Sequence, residues 1–215
     1  MRGVHLYVLV TSDLAQGDPV DVTRAAVRGG AQLVQLREKT MPKRPLLDLA
    51  RAIREVTLEE GALFVINDHV DIAALCSADG VHQGQDDLPP AEVRKVLGPE
   101  ALVGVSTHAP DQARRAERDG ADYIGVGPIF ETETKRHRAA VGLEFIRAAH
   151  EAASIPGFAI GSVNRQTLDS VIAAGATRVA VCTGIIAQPD VEAAARWFRA
   201  RLDRVNSSEA RGDVP

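Results

Sequence analysis

Short apolar runs rich in Val, Ile, Leu and Tyr recur along the whole chain. Each is followed by a longer stretch whose apolar residues fall three and four positions apart. The runs span 6–11, 33–37, 63–67, 80–83, 102–106, 123–126, 157–161 and 178–181. They carry few charges, which predicts strands covered on both faces, as in a parallel sheet. Between them, Leu46, Leu47, Ala50, Ile53 and Val56 make one helical stripe, and Val191, Ala194, Ala195, Phe198 and Leu202 make another. Helix starts are expected where Asp71 precedes Ile72, Pro90 precedes Glu92 and Asp111 precedes Gln112.

A weak repeat organises these units. Ala-Val-Arg-Gly-Gly-Ala (26–31), Ala-Glu-Arg-Asp-Gly-Ala (116–121) and Ile-Ala-Ala-Gly-Ala (172–176) each end a helix with glycine and lead into a strand. Their separations are near multiples of about 28–30 residues, the size of one βα unit in a small barrel. Eight such units with no linker between them predict an α/β chain folded as a single (β/α)8 TIM barrel over residues 1–205, with a flexible tail at 206–215. A doubly wound open sheet fits less well, because no GxGxxG follows the first strand.

Composition narrows the function classes. The 215 residues are 45% hydrophobic and 25% charged, with a net charge of −4. No broad basic face is implied, which argues against a nucleic-acid partner. Cys76 and Cys182 stand far apart in no CxxC pattern, so neither a disulfide framework nor a zinc site is expected. The apolar start at 4–10 runs into Thr11-Ser12-Asp13 without a charged leader or cleavage site, and no stretch reaches transmembrane length. These features suggest a cytoplasmic protein with no membrane partner. Pairing into a homo-oligomer through outer helices stays open.

In a barrel, chemistry gathers where strands end and βα loops begin. The second run ends in Gln35-Leu36-Arg37-Glu38-Lys39, and alternation places Gln35, Arg37 and Lys39 on one face. A guanidinium there suits a phosphate or diphosphate better than a core; Glu38 and Lys39 also read as solvated strand-end residues. The third and fourth runs bring Asn67-Asp68 and Gln85-Asp86-Asp87 to the same rim. Asp68 and Asp87 suit a hard cation such as Mg2+, or else cap the helices that follow. Ser106 and His108 lie two apart, with no orienting acid and no GxSxG elbow, so hydrogen bonding fits them better than nucleophilic attack. The loop Glu131-Thr132-Glu133-Thr134-Lys135 reads as a polar lid suited to phosphate, or as a solvated loop. Gly161-Ser162 and Cys182-Thr183-Gly184 follow the seventh and eighth runs, where barrels often cradle a phosphate. Together these imply two anionic, phosphorylated small-molecule ligands.

In order along the chain stand Gln-Leu-Arg-Glu-Lys (35–39), Ile-Asn-Asp (66–68), Gly-Val-His-Gln-Gly-Gln-Asp-Asp (80–87), Gly-Val-Ser-Thr-His (104–108), Gly-Pro-Ile-Phe (127–130), Thr-Glu-Thr-Lys (132–135) and Ala-Ile-Gly (159–161). The set resembles the motif series of the thiamine-phosphate synthases over essentially the whole barrel. That resemblance implies a transferase of thiamine biosynthesis. It would join a (diphosphooxymethyl)aminopyrimidine to a (phosphooxyethyl)thiazole, or its carboxylate, and release diphosphate. It also implies that Gln35, Leu36, Arg37, Glu38, Lys39, Asn67, Ser106 and Lys135 hold the pyrimidine diphosphate. Asp68 and Asp87 would hold one Mg2+; Thr132, Glu133, Thr134, Gly161, Ser162, Cys182 and Thr183 would hold the thiazole phosphate. Arg37, Lys39, Ser106 and Lys135 would act in catalysis by stabilising the departing diphosphate, so no protein nucleophile is needed.

Three positions depart from the family pattern: Glu131 where Pro is usual, Ser162 where a second Gly is usual, and Cys182-Thr183-Gly184-Ile185 where Ile/Val-Ser-Ala-Ile is common. Phe-Glu-Thr in the lid and the Gly-Ile pair look like the sister thiazole tautomerases, in which a histidine after the strand-5 serine, here His108, would do the chemistry. A tautomerase needs neither Mg2+ nor a diphosphate site, and the Asn-Asp and Gln-x-Asp motifs are intact here. A non-catalytic thiamine-phosphate-binding homologue is the remaining alternative.

Overall fold

The computed structural model describes Met1, residues 3–131 and 139–209, the last two of these in backbone only. Eight parallel strands close into a barrel in sequence order: β1 (Leu6–Val10), β2 (Leu33–Leu36), β3 (Leu63–Asn67), β4 (Gly80–Gln83), β5 (Leu102–Thr107), β6 (Tyr123–Val126), β7 (Gly157–Ile160) and β8 (Val179–Val181). Closure comes from β1 against β8, with Tyr7 opposite Ala180. Each strand lies within a residue of the boundaries expected from its apolar run, because a doubly covered strand must be apolar throughout.

The helices among the described residues are α1 (Pro19–Arg28), α2 (Lys43–Glu60), α3 (Val70–Leu75), α4 (Pro90–Leu97), α5 (Pro110–Arg118), α6 (Glu144–Ala152), α7 (Leu168–Ala173), α8 (Thr183–Ile186) and α9 (Val191–Glu209). Pro90 opens α4 as expected, but two other starts differ from the expected caps. His69 and Ala109 hold the cap positions of α3 and α5 without a side-chain bond, and Asp71 and Asp111 lie inside the first turn. There their charge complements the helix dipole instead. Asp18 is the side-chain cap at α1, accepting from Val20 N at 2.8 Å. α9 continues past Asn206, where a tail was expected to begin. Asn206 Nδ2 donates to Leu202 O (2.8 Å) and Thr177 O (3.1 Å), tying that turn to the body of the protein.

Alternation along the strands makes two cores. Leu6, Val8, Val10, Val34, Leu36, Phe64, Ile66 and their counterparts face the helices, where α2 adds Leu46, Ala50 and Ile53. Tyr7, Leu9, Leu33, Val65, Tyr123, Phe158 and Ala180 fill the barrel interior. The interior aromatics meet edge to face, Tyr7–Phe158 at 5.4 Å and Tyr123–Phe158 at 5.6 Å between centroids. Gly104 is required there, since a Cβ would sit 2.1 Å from the Tyr123 ring.

At the N-terminal end of the barrel one device occurs twice. Asp79, just before β4, receives both Arg54 terminal nitrogens (2.8 and 3.0 Å) and the Phe64 amide (2.7 Å). Asp122, just before β6, receives Arg94 (2.7 Å) and the Val103 amide (2.7 Å). Each carboxylate pins a helix to the start of a neighbouring strand.

Candidate active site

The C-terminal ends of β2, β3 and β4 place Arg37, Lys39, Asn67, Asp68 and Asp87 at one side of the barrel mouth. Lys39 Nζ lies 2.5 Å from Asp68 Oδ2, with Lys39 half exposed and Asp68 mostly buried. Asp68 takes a left-handed φ of 61°, unusual for a side chain larger than glycine, and its amide donates to His82 O at 3.0 Å. Asp87 Oδ2 accepts from Gly84 N at 2.7 Å. Neither carboxylate caps α3 or α4, whose cap positions belong to His69 and Pro89. The capping explanation for the two aspartates therefore does not hold.

The two carboxyls titrate together. Burial pulls Asp68 up, but the Lys39 hydrogen bond and charge, aided by Asp87, outweigh it and hold the group below the usual carboxylate range. Asp87 is pushed up, first by burial and then by the Asp68 charge beside it, with the Gly84 amide opposing. Two adjacent carboxylates that resist being charged together have the chemistry a cation would use. No group of three or more His, Cys, Asp or Glu suited to a metal occurs among the described residues. Two carboxylates still fit Mg2+, which keeps waters and takes substrate phosphate oxygens as its remaining ligands.

Asn67 points inward from the end of β3, and its buried Nδ2 has no partner among the described residues. A buried amide donor left unpaired costs about 1–3 kcal/mol, so it marks a place where an acceptor belongs. Across the mouth, Leu9, Thr11, Arg37, Pro128, Ile160, Gly161, Ser162, Cys182 and Thr183 line a cleft of about 670 Å3 that opens to solvent. Arg37 thus shares a cleft with the set expected to hold the thiazole phosphate, and stands between the two halves. Burial pushes the Cys182 thiol up to about 11, against the pull of Arg37, so it is neutral and weakly nucleophilic.

The remaining candidates separate. Leu36 packs in the helix-facing core, so its side chain does not reach the mouth. Glu38 is buried and accepts from Ser12 N (2.6 Å) and Ser12 Oγ (2.8 Å), which locks the β1 and β2 loops together. Gln35 lies inside the barrel and donates to the Tyr7 hydroxyl. Ser106 pairs with His82 Nε2 at 2.9 Å, a histidine that no local pattern singles out. His108 instead turns its Nδ1 to Gly127 O, and its amide donates to Gln112 Oε1 at 2.7 Å. In the Ser106–His82 pair, His82 Nδ1 meets Tyr123 Oη at 3.3 Å, where a triad has a carboxylate. It is not a triad. Thr132, Glu133, Thr134 and Lys135 lie outside the described residues.

Two departures from the family pattern touch. Ser162 adopts φ 50°, the conformation a glycine would take freely, and its Oγ donates to Glu131 O at 2.6 Å. Gly161 cannot be replaced so easily: φ is 106° and a Cβ would lie 2.6 Å from Pro128 Cα.

Comparison with known proteins points to one family. The thiamine monophosphate synthase family profile matches residues 6–185. A thiamine-phosphate synthase of Gloeobacter violaceus is 51% identical over 204 residues, 95% of this chain, which spans 59% of that longer protein. One from Moorella thermoacetica is 49% identical over 93% of this chain and 96% of its own length. The solved thiamine phosphate pyrophosphorylase of Pyrococcus furiosus superposes with a TM-score of 0.85 at 33% identity, covering 94% of this chain and 96% of that one.

Proposed function

The chain belongs to the thiamine monophosphate synthase family, and from that premise we propose how its barrel mouth forms thiamine phosphate. The reaction joins the pyrimidinylmethyl group of a diphosphate ester to the thiazole nitrogen and releases diphosphate. The relatives favour this transferase over the tautomerase and the non-catalytic binder. The observation that carries the reading is the Lys39–Asp68–Asp87 cluster beside Arg37 and the unpaired Asn67 amide.

Asp68 and Asp87 would hold Mg2+, which when bound neutralises diphosphate charge. Lys39, freed from Asp68 by the incoming anion, would turn to a diphosphate oxygen. Arg37 would bind phosphate as a fork from the same side of the mouth. The Asn67 amide would donate to the pyrimidine diphosphate. Ser106 would offer its hydroxyl hydrogen to a diphosphate oxygen. Gly161, Ser162, Cys182 and Thr183 would receive the thiazole phosphate, with Arg37 near enough to bridge both ligands. Lys135 and the Thr132–Thr134 stretch are proposed for the same diphosphate and phosphate. Catalysis is positioning plus charge stabilisation on the leaving group, in keeping with a site whose hydroxyl and thiol are not activated as nucleophiles. No described helix is long and apolar enough to cross a membrane. The two unpaired cysteines suit a reducing compartment such as the cytoplasm.

The test is coupling of the two substrates by the purified chain, with and without Mg2+, read as thiamine phosphate. Mg2+-dependent product supports the reading. Folded protein that binds both ligands and makes no product overturns it.

A further inference from the structure

β4 leaves the sheet before β5 does. The last residues paired between them are Gln83 and Val105, while β5 runs on to Thr107. Thr107 O turns toward β6, where it accepts from Gly127 N at 3.2 Å, so Ser106 O, one residue back, faces the β4 side. A side chain supplies the next rung. Gln85 Nε2, from the loop joining β4 to α4, donates to Ser106 O at 2.7 Å. Its Oε1 accepts from Arg115 Nη2 on α5. Both bonds require the same orientation of the amide, since a guanidinium only donates and a carbonyl only accepts. The loop that carries Gln85 also carries Asp87, whose Oδ2 accepts from Gly84 N at 2.7 Å. A Cβ on Gly84 would lie 2.8 Å from that oxygen and push the carboxylate from its place.

We infer that Gln85 is a positioning residue, which straps the Asp87 loop to the end of β5 and so fixes the spacing between the proposed cation site and Ser106. The inference rests on the proposed function, in which one diphosphate meets Asp87 through Mg2+ and Ser106 through its hydroxyl. Those two contacts come from neighbouring strand ends, beyond the last paired residues of β4 and β5. Asp68 is secured differently: its own amide donates to His82 O at 3.0 Å, a backbone bond onto β4. Asp87 follows a loop that has left the sheet, and the Gln85 amide ties that loop to β5. Without the strap the loop is free to take several positions, and the ligand has to order it on binding. The loss then falls on affinity for the diphosphate and Mg2+ more than on kcat. Arg115 acts at one remove, by holding Gln85 Oε1 so that the nitrogen stays on Ser106 O. Arg115 is exposed, so its share is the smaller.

Gln85→Met keeps the length and neutrality of the side chain and removes both bonds. Calorimetric binding of inorganic diphosphate with Mg2+, steady-state coupling and thermal melting of the full chain read its effect. Diphosphate binding should weaken about fivefold, the effect of losing one positioned hydrogen bond. KM for the diphosphate substrate and the Mg2+ needed for half activity should rise by about the same factor, with kcat within about twofold. Arg115→Met leaves the Gln85–Ser106 bond in place and should give a smaller rise, about twofold. In the unsubstituted protein the Gln85 side-chain amide hydrogens, identified in the NMR spectrum by their loss in Gln85→Met, should exchange with solvent more slowly than those of an exposed glutamine. Diphosphate binding and KM both unchanged in Gln85→Met overturn the inference, whether or not the melting temperature falls, since a staple of the fold alone would move only stability. Fast exchange of the Gln85 amide in the unsubstituted protein overturns it as well. Absence of coupled product from the unsubstituted protein would overturn the proposed function alone, and the exchange and diphosphate-binding measurements would still decide the role of Gln85.

Discussion

At the N-terminal end of the barrel, Arg54 closes a two-pronged bond on Asp79, and a strand amide takes up the same carboxylate. At the C-terminal end, Lys39 reaches Asp68 through a single nitrogen, half exposed, and the Asn67 amide nearby has no partner among the described residues. The chemistry of the two pairs is alike, a cation on an aspartate at a strand end. Both terminal nitrogens of the lower cation are taken by groups of the fold itself, with Arg54 Nε left over. The upper cation is held at one nitrogen and stays half exposed, beside an Asp68 in a left-handed backbone. A barrel can thus spend its lower charges on cohesion and keep its upper ones for binding, because strand direction sends the loops that can vary to one end only.

That contrast can be broken from either side. The largest effect is expected at the top. Asp87→Ala should lower kcat/KM for coupling about 100-fold or more while leaving the melting temperature nearly unchanged. A Mg2+ titration of activity checks this, and full activity would remove the cation site. The sign with pH follows from the same pair: Asp87 is pushed up and Asp68 held down, so as pH falls Asp87 takes the proton first and Mg2+ is released from its side. At the bottom, Asp79→Ala should cost about 2–3 kcal/mol of stability, because it strips the part-buried Arg54 fork and the Phe64 amide of their shared acceptor. Below its melting range the variant should keep kcat/KM within about twofold, measured by denaturation and initial rates. A large loss of rate without loss of stability would erase the distinction between the two ends.

Smaller effects sharpen it within the mouth. Gly161→Ala places a Cβ 2.6 Å from Pro128 Cα at φ 106°, and should cost about 1–3 kcal/mol while raising KM for the thiazole phosphate. Ser162→Gly removes the strain of φ 50° and also the 2.6 Å bond to Glu131 O. Each is worth about 1 kcal/mol, so the net change in stability should be close to zero. A clear loss would show that the contact with Glu131 outweighs the relief of strain.

Much of this was legible before folding. Strand positions could be read because residues covered on both faces must be apolar, and the repeat of glycine-ended helices announced the βα units. The rim residues were legible because charge at the end of an apolar strand has no place in a core. Glu38 and Leu36 were read as ligand-binding from their neighbours in the sequence, yet one is consumed by Ser12 and the other faces the helices. His82 passed without a role because a histidine amid apolar residues does not reveal its partners. Tyr123 and Ser106, which it meets, lie 41 and 24 positions away.

The sequence by itself determined which residues form strands, which of their faces alternate, and that charges collect at the strand ends, since each of these depends on near neighbours along the chain. Only the tertiary structure decided that Asp68 meets Asp87 and Lys39, that Arg37 stands in one cleft with Gly161 and Thr183, and that Ser106 is served by His82 and not His108. Those pairings are set by closure of the barrel and the register of one strand on the next, which bring together side chains that no local pattern connects.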